Sequence, residues 1–360
     1  MAGLRLEKLG MLALLVGMAS ACASDRIESV VQQEVVPPAQ ALPTSLHGTA
    51  QGMKTWYTDP TGFGALINVP YEQLACGQCH TGKKNADGTT SSEQDCAQCH
   101  NAGVEPSTAS LAATAEATCL ACHSRQASEN ALTVGDVHRA RGMKCWDCHT
   151  SREIHGDGKA YLTMFDEGAT EARCENCHQQ APATRSHTVH GKKLACATCH
   201  MQTSVTCYNC HFETEITEKK KLPYAKLSGW QFLGNYRGQV YPMNFQSVTY
   251  QGKAFVAIGP YYGHTIANAG RQCNDCHGIQ AVRDYNLTGK ITVAKWDPVQ
   301  KKIIPSTGVM PVPADFEKAF EMDFLARENG QWIFLKTGAD RMHMLRGTPL
   351  TQAQINRLVN

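Results

Sequence analysis

Residues 196–211 read Cys196-Ala197-Thr198-Cys199-His200-Met201-Gln202-Thr203-Ser204-Val205-Thr206-Cys207-Tyr208-Asn209-Cys210-His211. The stretch spells the pentapeptide Cys-x-x-Cys-His twice. Six further copies occur: Cys76-x-x-Cys79-His80, Cys96-x-x-Cys99-His100, Cys119-x-x-Cys122-His123, Cys145-x-x-Cys148-His149, Cys174-x-x-Cys177-His178 and Cys273-x-x-Cys276-His277. Together they use every one of the 17 cysteines except Cys22. The spelling is that of a c-type haem attachment site, in which the thiols bond the porphyrin as thioethers and the histidine becomes an axial iron ligand. A zinc reading needs paired hooks and no histidine after every second cysteine, and a disulfide framework would not repeat one spacing. The expectation is eight covalent haems. If residues 196–211 were helical, the sixth and seventh motif starts would lie only about 16 Å apart.

The start of the chain is a separate unit. Arg5 and Lys8 precede the mostly apolar Leu9–Val16, and Ala19-Ser20-Ala21 are small residues before a cut, so residues 1–21 read as a signal peptide. The apolar stretch is too short for a transmembrane helix, which needs about 20 residues. Ala19-Ser20-Ala21-Cys22 resembles a lipobox, which makes Cys22 a candidate for lipidation. Residues 22–46, with Pro37, Pro38 and Pro43, read as a lipidated N-terminus and flexible tether reaching on the order of 80 Å when extended.

Residues 47–215 hold the first seven motifs, at intervals too short for independent domains. They are expected to form a mostly irregular and α-helical shell wrapped around the haem array, with the haems themselves as core. Residues 216–360 read as a β-rich region carrying the eighth haem. Val248–Tyr250 and Phe255–Ile258 flank Gln251-Gly252, and Asn329-Gly330 stands between two apolar runs, both hairpin signals. Ile291–Val293 and Ile303-Ile304 flank Asp297-Pro298. Thr351 with Gln354 marks the start of a final capped helix.

Eight of the 15 histidines belong to motifs. The other seven, His47, His138, His155, His187, His190, His264 and His343, are the candidates for the second axial ligand of a low-spin haem. One iron is left without a histidine. Methionine (Met143, Met201 or Met243), lysine (Lys144, Lys192 or Lys193) or an open position could stand there. Tyr261, Tyr262 and Arg271, close to Cys273, are weak catalytic candidates. The formal charge of +2 turns to about −7 once the leader is removed and eight haems bring their propionates. The one basic run, Lys219–Lys221, follows Glu218 and reads as a solvated loop, with a docking patch for an acidic redox partner as the alternative; nothing suggests nucleic acid.

The motif set resembles the multihaem cytochromes c of respiratory bacteria, specifically an octahaem member. It shows distant similarity to octahaem tetrathionate reductase and hydroxylamine oxidoreductase-like cytochromes. The resemblance implies a lipid-anchored relay at the periplasmic face or surface of the outer membrane. Its implied partners are a quinol dehydrogenase, periplasmic cytochromes or an outer-membrane conduit. The alternative is an oxidoreductase acting on a small nitrogen or sulfur compound at one open or non-histidine-ligated haem.

Overall fold

The computed structural model describes residues 36–76, 83–84, 90–91, 99–100 and 115–359. The leader, Cys22, most of the tether, Cys79, His80 and Cys96 lie outside the described residues. Among those residues no helix is long and apolar enough to cross a membrane.

Two short strands, β1 (Lys83–Lys84) and β2 (Thr90–Ser91), pair with each other. The body is built from β3 (Ser204–His211), β4 (Pro223–Tyr236), β5 (Gln239–Tyr250), β6 (Lys253–Pro260), β7 (Ile291–Asp297), β8 (Lys302–Pro305), β9 (Gly308–Pro311), β10 (Phe320–Glu328), β11 (Gln331–Thr337) and β12 (Arg341–Met344). A six-stranded sheet runs β12-β6-β5-β3-β4-β9, and a four-stranded sheet runs β11-β10-β7-β8.

Three hairpins turn on two consecutive residues of positive φ: Arg237-Gly238 (49° and 76°), Gln251-Gly252 (49° and 72°) and Asn329-Gly330 (50° and 81°). That backbone matches the twist of the strands it joins. The β4–β5 hairpin pairs directly only near its turn, from Phe232↔Met243 to Tyr236↔Gln239. Its far ends splay, and β3 lies between them, antiparallel to β4 and parallel to β5. β3 is thus an interior strand, and seven of its eight residues are buried.

The two sheets enclose a side-chain core that includes Tyr208, Trp230, Phe232, Phe245, Ile258, Ile291, Met310, Met322 and Phe324. Burying each such group contributes about 1.5–3 kcal/mol. A second cluster joins Tyr57, Ile67, Tyr71 and Leu74 of the N-terminal helices to Cys207, Cys210, Phe212 and Val248.

This architecture overturns the expected mostly irregular and α-helical haem-wrapping fold. Of the described residues, helix accounts for 33% and strand for 28%, and one of the two large sheets curls into a half-barrel. The β-body fills its centre with side chains, so porphyrin is not needed as core there. Its extent was hidden because β3 shows neither alternation nor an apolar run. Its buried polar side chains are satisfied instead: Ser204 Oγ donates to the Trp230 carbonyl, Thr206 Oγ to Asn244 Oδ1, and Asn209 N–H to Ser247 Oγ.

Candidate haem sites

Most described motifs close into a single turn. The histidine N–H donates to the carbonyl of the first cysteine in the third, fourth, fifth and eighth motifs, at 2.8–2.9 Å. The sixth is a one-turn helix, Cys196–His200. Such a turn brings two thiols three residues apart and the next side chain to one side, where one macrocycle can meet all three.

Six motif histidines each face one non-motif histidine. The pairs are His123 with His47 (6.0 Å between ring centroids), His100 with His155 (6.0 Å), His178 with His138 (6.1 Å), His149 with His264 (6.2 Å), His200 with His187 (6.2 Å) and His277 with His190 (6.2 Å). Two metal–imidazole bonds of about 2.0 Å and two ring radii of about 1.1 Å require about 6.2 Å between centroids. The residues present therefore fit iron held between two imidazoles at six places.

Hydrogen bonds at the opposite ring nitrogen fix the orientation. Nδ1–H donates to a backbone carbonyl in His47 (Ile154, 3.1 Å), His155 (Ser151, 2.9 Å), His187 (Pro182, 2.8 Å), His190 (Ser186, 2.9 Å), His200 (Ala267, 3.1 Å) and His277 (Arg357, 2.7 Å). A carbonyl only accepts, so Nδ1 carries the proton and Nε2 keeps its lone pair for metal. His149 differs, donating Nδ1–H to Glu153 Oε1 at 2.6 Å. Burial pushes the Glu153 carboxyl up, but its hydrogen bonds to His149 and to the Glu171 and Ala172 N–H groups outweigh that and hold it below the ordinary range. Opposite, Glu129, fully buried, places Oε2 3.5 Å from His264 Nδ1. That contact is electrostatic only, since His264 Nδ1 makes no hydrogen bond.

The sites adjoin one another through their cysteines. Cys119 lies beside Cys145, Cys148 beside Cys177, Cys174 beside Cys196, and Cys199 beside Cys276. This links the motifs in the order third, fourth, fifth, sixth, eighth. Among the described residues no group of three or more His, Cys, Asp or Glu side chains is placed to hold a metal ion by itself.

The other candidates fall elsewhere. His343 packs against Phe63 at 6.3 Å, and its buried Nε2 has no hydrogen-bond partner. His211 meets Trp332 edge-on at 6.2 Å. Met201 and Met243 are fully buried, Met201 against Gly263 and Met243 between Gly234 and Gly347. The Lys144 ammonium reaches Glu116 at 3.5 Å. Tyr261, Tyr262 and Arg271 do not converge. The Tyr261 hydroxyl donates to Glu129 Oε1 at 2.5 Å, Tyr262 packs on Phe165 and Tyr241, and Arg271 donates to Gln231 Oε1 and the Gln202 carbonyl. Sequence reasoning did not single out Glu153 or Glu129. Glu153 lies four residues beyond His149, a signal that was available, whereas Glu129 is far from both His149 and His264 in sequence.

A family model described as the doubled CXXCH motif matches residues 90–128, which take in the second and third motifs. No curated protein and no solved structure matches the chain. The motif match indicates a multihaem c-type cytochrome with covalently bound haem, a class that works in electron transfer.

Proposed function

We propose that this protein is an electron relay of bacterial respiration, exported and held at the outer membrane through a lipid on Cys22. Its exchange partners would be a quinol dehydrogenase or periplasmic carrier on one side and an outer-membrane conduit or extracellular acceptor on the other. The observation that carries the reading is the run of imidazole pairs at the third, fourth, fifth, sixth and eighth motifs, whose cysteines adjoin from one to the next. When bound, haem iron supplies a one-electron ferric–ferrous couple at each site. The protein's part is to fix spacing and ligation. The neighbouring cysteines would hold the haems of successive motifs close to one another, as electron transfer between them requires. Iron held between the paired histidines would have no place left for a substrate.

Spectroscopy on the purified holoprotein tests this. Low-spin ferric signals broadened by coupling between neighbours, with no spectral change when carbon monoxide meets the reduced protein, are expected. A high-spin signal with carbon monoxide bound to one haem would replace the relay with the oxidoreductase reading. For the anchor, Cys22→Ala is expected to release the haem protein from membranes into the soluble fraction; unchanged membrane retention would remove the lipid from the proposal.

A further inference from the structure

The seventh motif departs from the paired sites in its backbone, in the burial of its thiols and in the setting of its histidine. Its five residues do not close into a turn. They end strand β3, and the His211 N–H donates to the Leu222 carbonyl at 2.9 Å instead of to Cys207. Each paired site keeps at least one thiol exposed, whereas Cys207 and Cys210 are 9% and 1% exposed beneath Tyr57, Leu74, Phe212 and Val248. A porphyrin could reach them only by displacing that cluster.

The two residues between the cysteines are structural. The Tyr208 hydroxyl donates to the Asp323 carbonyl at 2.7 Å, and the Tyr208 ring stacks on Phe324. Asn209, at φ 54°, donates Nδ2–H to the Leu325 carbonyl and accepts from the Leu325 N–H, both at 2.8 Å. These contacts tie the two sheets together.

His211 is turned the wrong way round for metal. Its Nε2 lies 3.3 Å from Glu213 Oε2, while its Nδ1 is buried without a hydrogen bond. None of the six pairs includes it. His343, the only other described histidine outside those pairs, shows the opposite pattern, with Nε2 buried and unpartnered.

We infer that Cys207-Tyr208-Asn209-Cys210-His211 is not a haem site but an interior strand that happens to spell one, so that eight motifs take seven haems. The inference rests on the haem reading of the other motifs. It removes the mismatch between seven spare histidines and eight irons. Six are used in the observed pairs, and His343 is left for the first motif, giving every iron two imidazoles. The shortage of histidine then no longer implies an open iron.

Peptide mapping of the mature holoprotein decides it. Thioether-bound haem survives denaturation and digestion. The peptide spanning 207–211 is expected to be haem-free and to take two iodoacetamide labels after unfolding, with the other seven motif peptides haem-modified. A pyridine haemochrome assay should give seven equivalents per chain. Cys207→Ala with Cys210→Ala should keep all seven, and Cys196→Ala with Cys199→Ala should drop to six. Haem on the 207–211 peptide, eight equivalents, or an unmodified motif among the other seven would overturn the inference. The wild-type map settles the haem count even where a variant fails to fold. A colourless protein would instead sink the haem reading itself.

Discussion

Replacing Asn209 by alanine probes the structural role of the seventh motif directly. The side chain makes two 2.8 Å hydrogen bonds to the backbone of Leu325 and a longer one to Thr249 Oγ1. Asn209→Ala leaves the buried Leu325 N–H without an acceptor, at a cost of about 1–3 kcal/mol, and removes a second hydrogen bond worth about 0.5–1.5 kcal/mol. The Leu325 carbonyl still accepts from Thr249 Oγ1, so it is not orphaned. Alanine must also hold the left-handed backbone at this position, which costs about 1–2 kcal/mol. The total is about 3–6 kcal/mol, a large part of the stability of an ordinary domain. For a body of this size that lowers the melting temperature on the order of 10 °C. Thermal unfolding of the holoprotein, followed by far-ultraviolet circular dichroism in the strand region, measures it. Asn209→Gly, which relieves the backbone but not the hydrogen bonds, should fall between wild type and alanine. An Asn209→Ala protein that melts within 2–3 °C of wild type, a shift of about 1 kcal/mol, would refute the role assigned to this strand.

Other expectations follow from the same geometry. His264→Ala strips the second imidazole from the fourth motif and should create one carbon monoxide-binding, high-spin haem where wild type shows none; an unreactive variant would remove His264 from the ligand set. Glu153→Gln keeps an acceptor at His149 Nδ1 but loses its charge, which weakens the ring as a donor. Exchanging a charged for a neutral hydrogen-bond partner is worth about 1 kcal/mol, so one redox wave should rise on the order of 40 mV with the others in place. Asp340 receives the Ala254 N–H at 2.8 Å and the Lys336 ammonium at 2.8 Å. Burial pushes its carboxyl up, but these bonds outweigh burial and hold it below the ordinary carboxylate range. A depressed carboxylate contributes stability that is full above its unfolded value and is lost as pH falls through the folded one. Asp340→Asn should therefore melt lower at pH 7 and lose less as the medium is acidified through the carboxylate range; parallel acid profiles would count against the linkage. Finally, in a host unable to attach haem, limited proteolysis should leave a resistant fragment starting near residue 200 and degrade residues 115–195. Loss of both together would show that the β-body needs haem.

Legibility from sequence followed the range of the forces involved. The Gln251-Gly252 and Asn329-Gly330 turns and the Thr351–Gln354 capping box depend on a few adjacent residues, and all are present in the structure. The Arg237-Gly238 turn has the same backbone but only its glycine to announce it. β3 was illegible because an interior strand with satisfied polar residues has no period to detect, and its cysteines drew it into the motif count. The pool of partner histidines could be enumerated, since imidazole is the one abundant strong ligand outside the motifs. Their pairing could not, because it depends on how distant segments meet. His264 lies near the eighth motif in sequence yet faces His149 of the fourth. His187 and His190 lie only three residues apart, yet a single helical turn presents them to different motifs, the sixth and the eighth.

The distribution of buried side chains separates two kinds of cohesion in this chain. Between residues 115 and 195 only Phe165, Ala169 and Ala195 are buried apolar residues. That is far too little to offset the backbone entropy of so long a segment. What crosses it are the histidine pairs, which join His138 to His178, His149 to His264 and His190 to His277. Iron held by each pair would close a loop in the manner of a disulfide, and a disulfide typically contributes about 2–4 kcal/mol. Metal bridges of this kind couple ligand binding to folding. The β-body needs no such help and supplies fixed points for the string. Ala267 and Ile266, just beyond β6, accept hydrogen bonds from the ring of His200 and from the backbone of Val137, and Arg357 of the final helix holds the ring of His277. Haem held by these pairs would act as a set of staples laid along a β scaffold, whose interior is already filled by side chains.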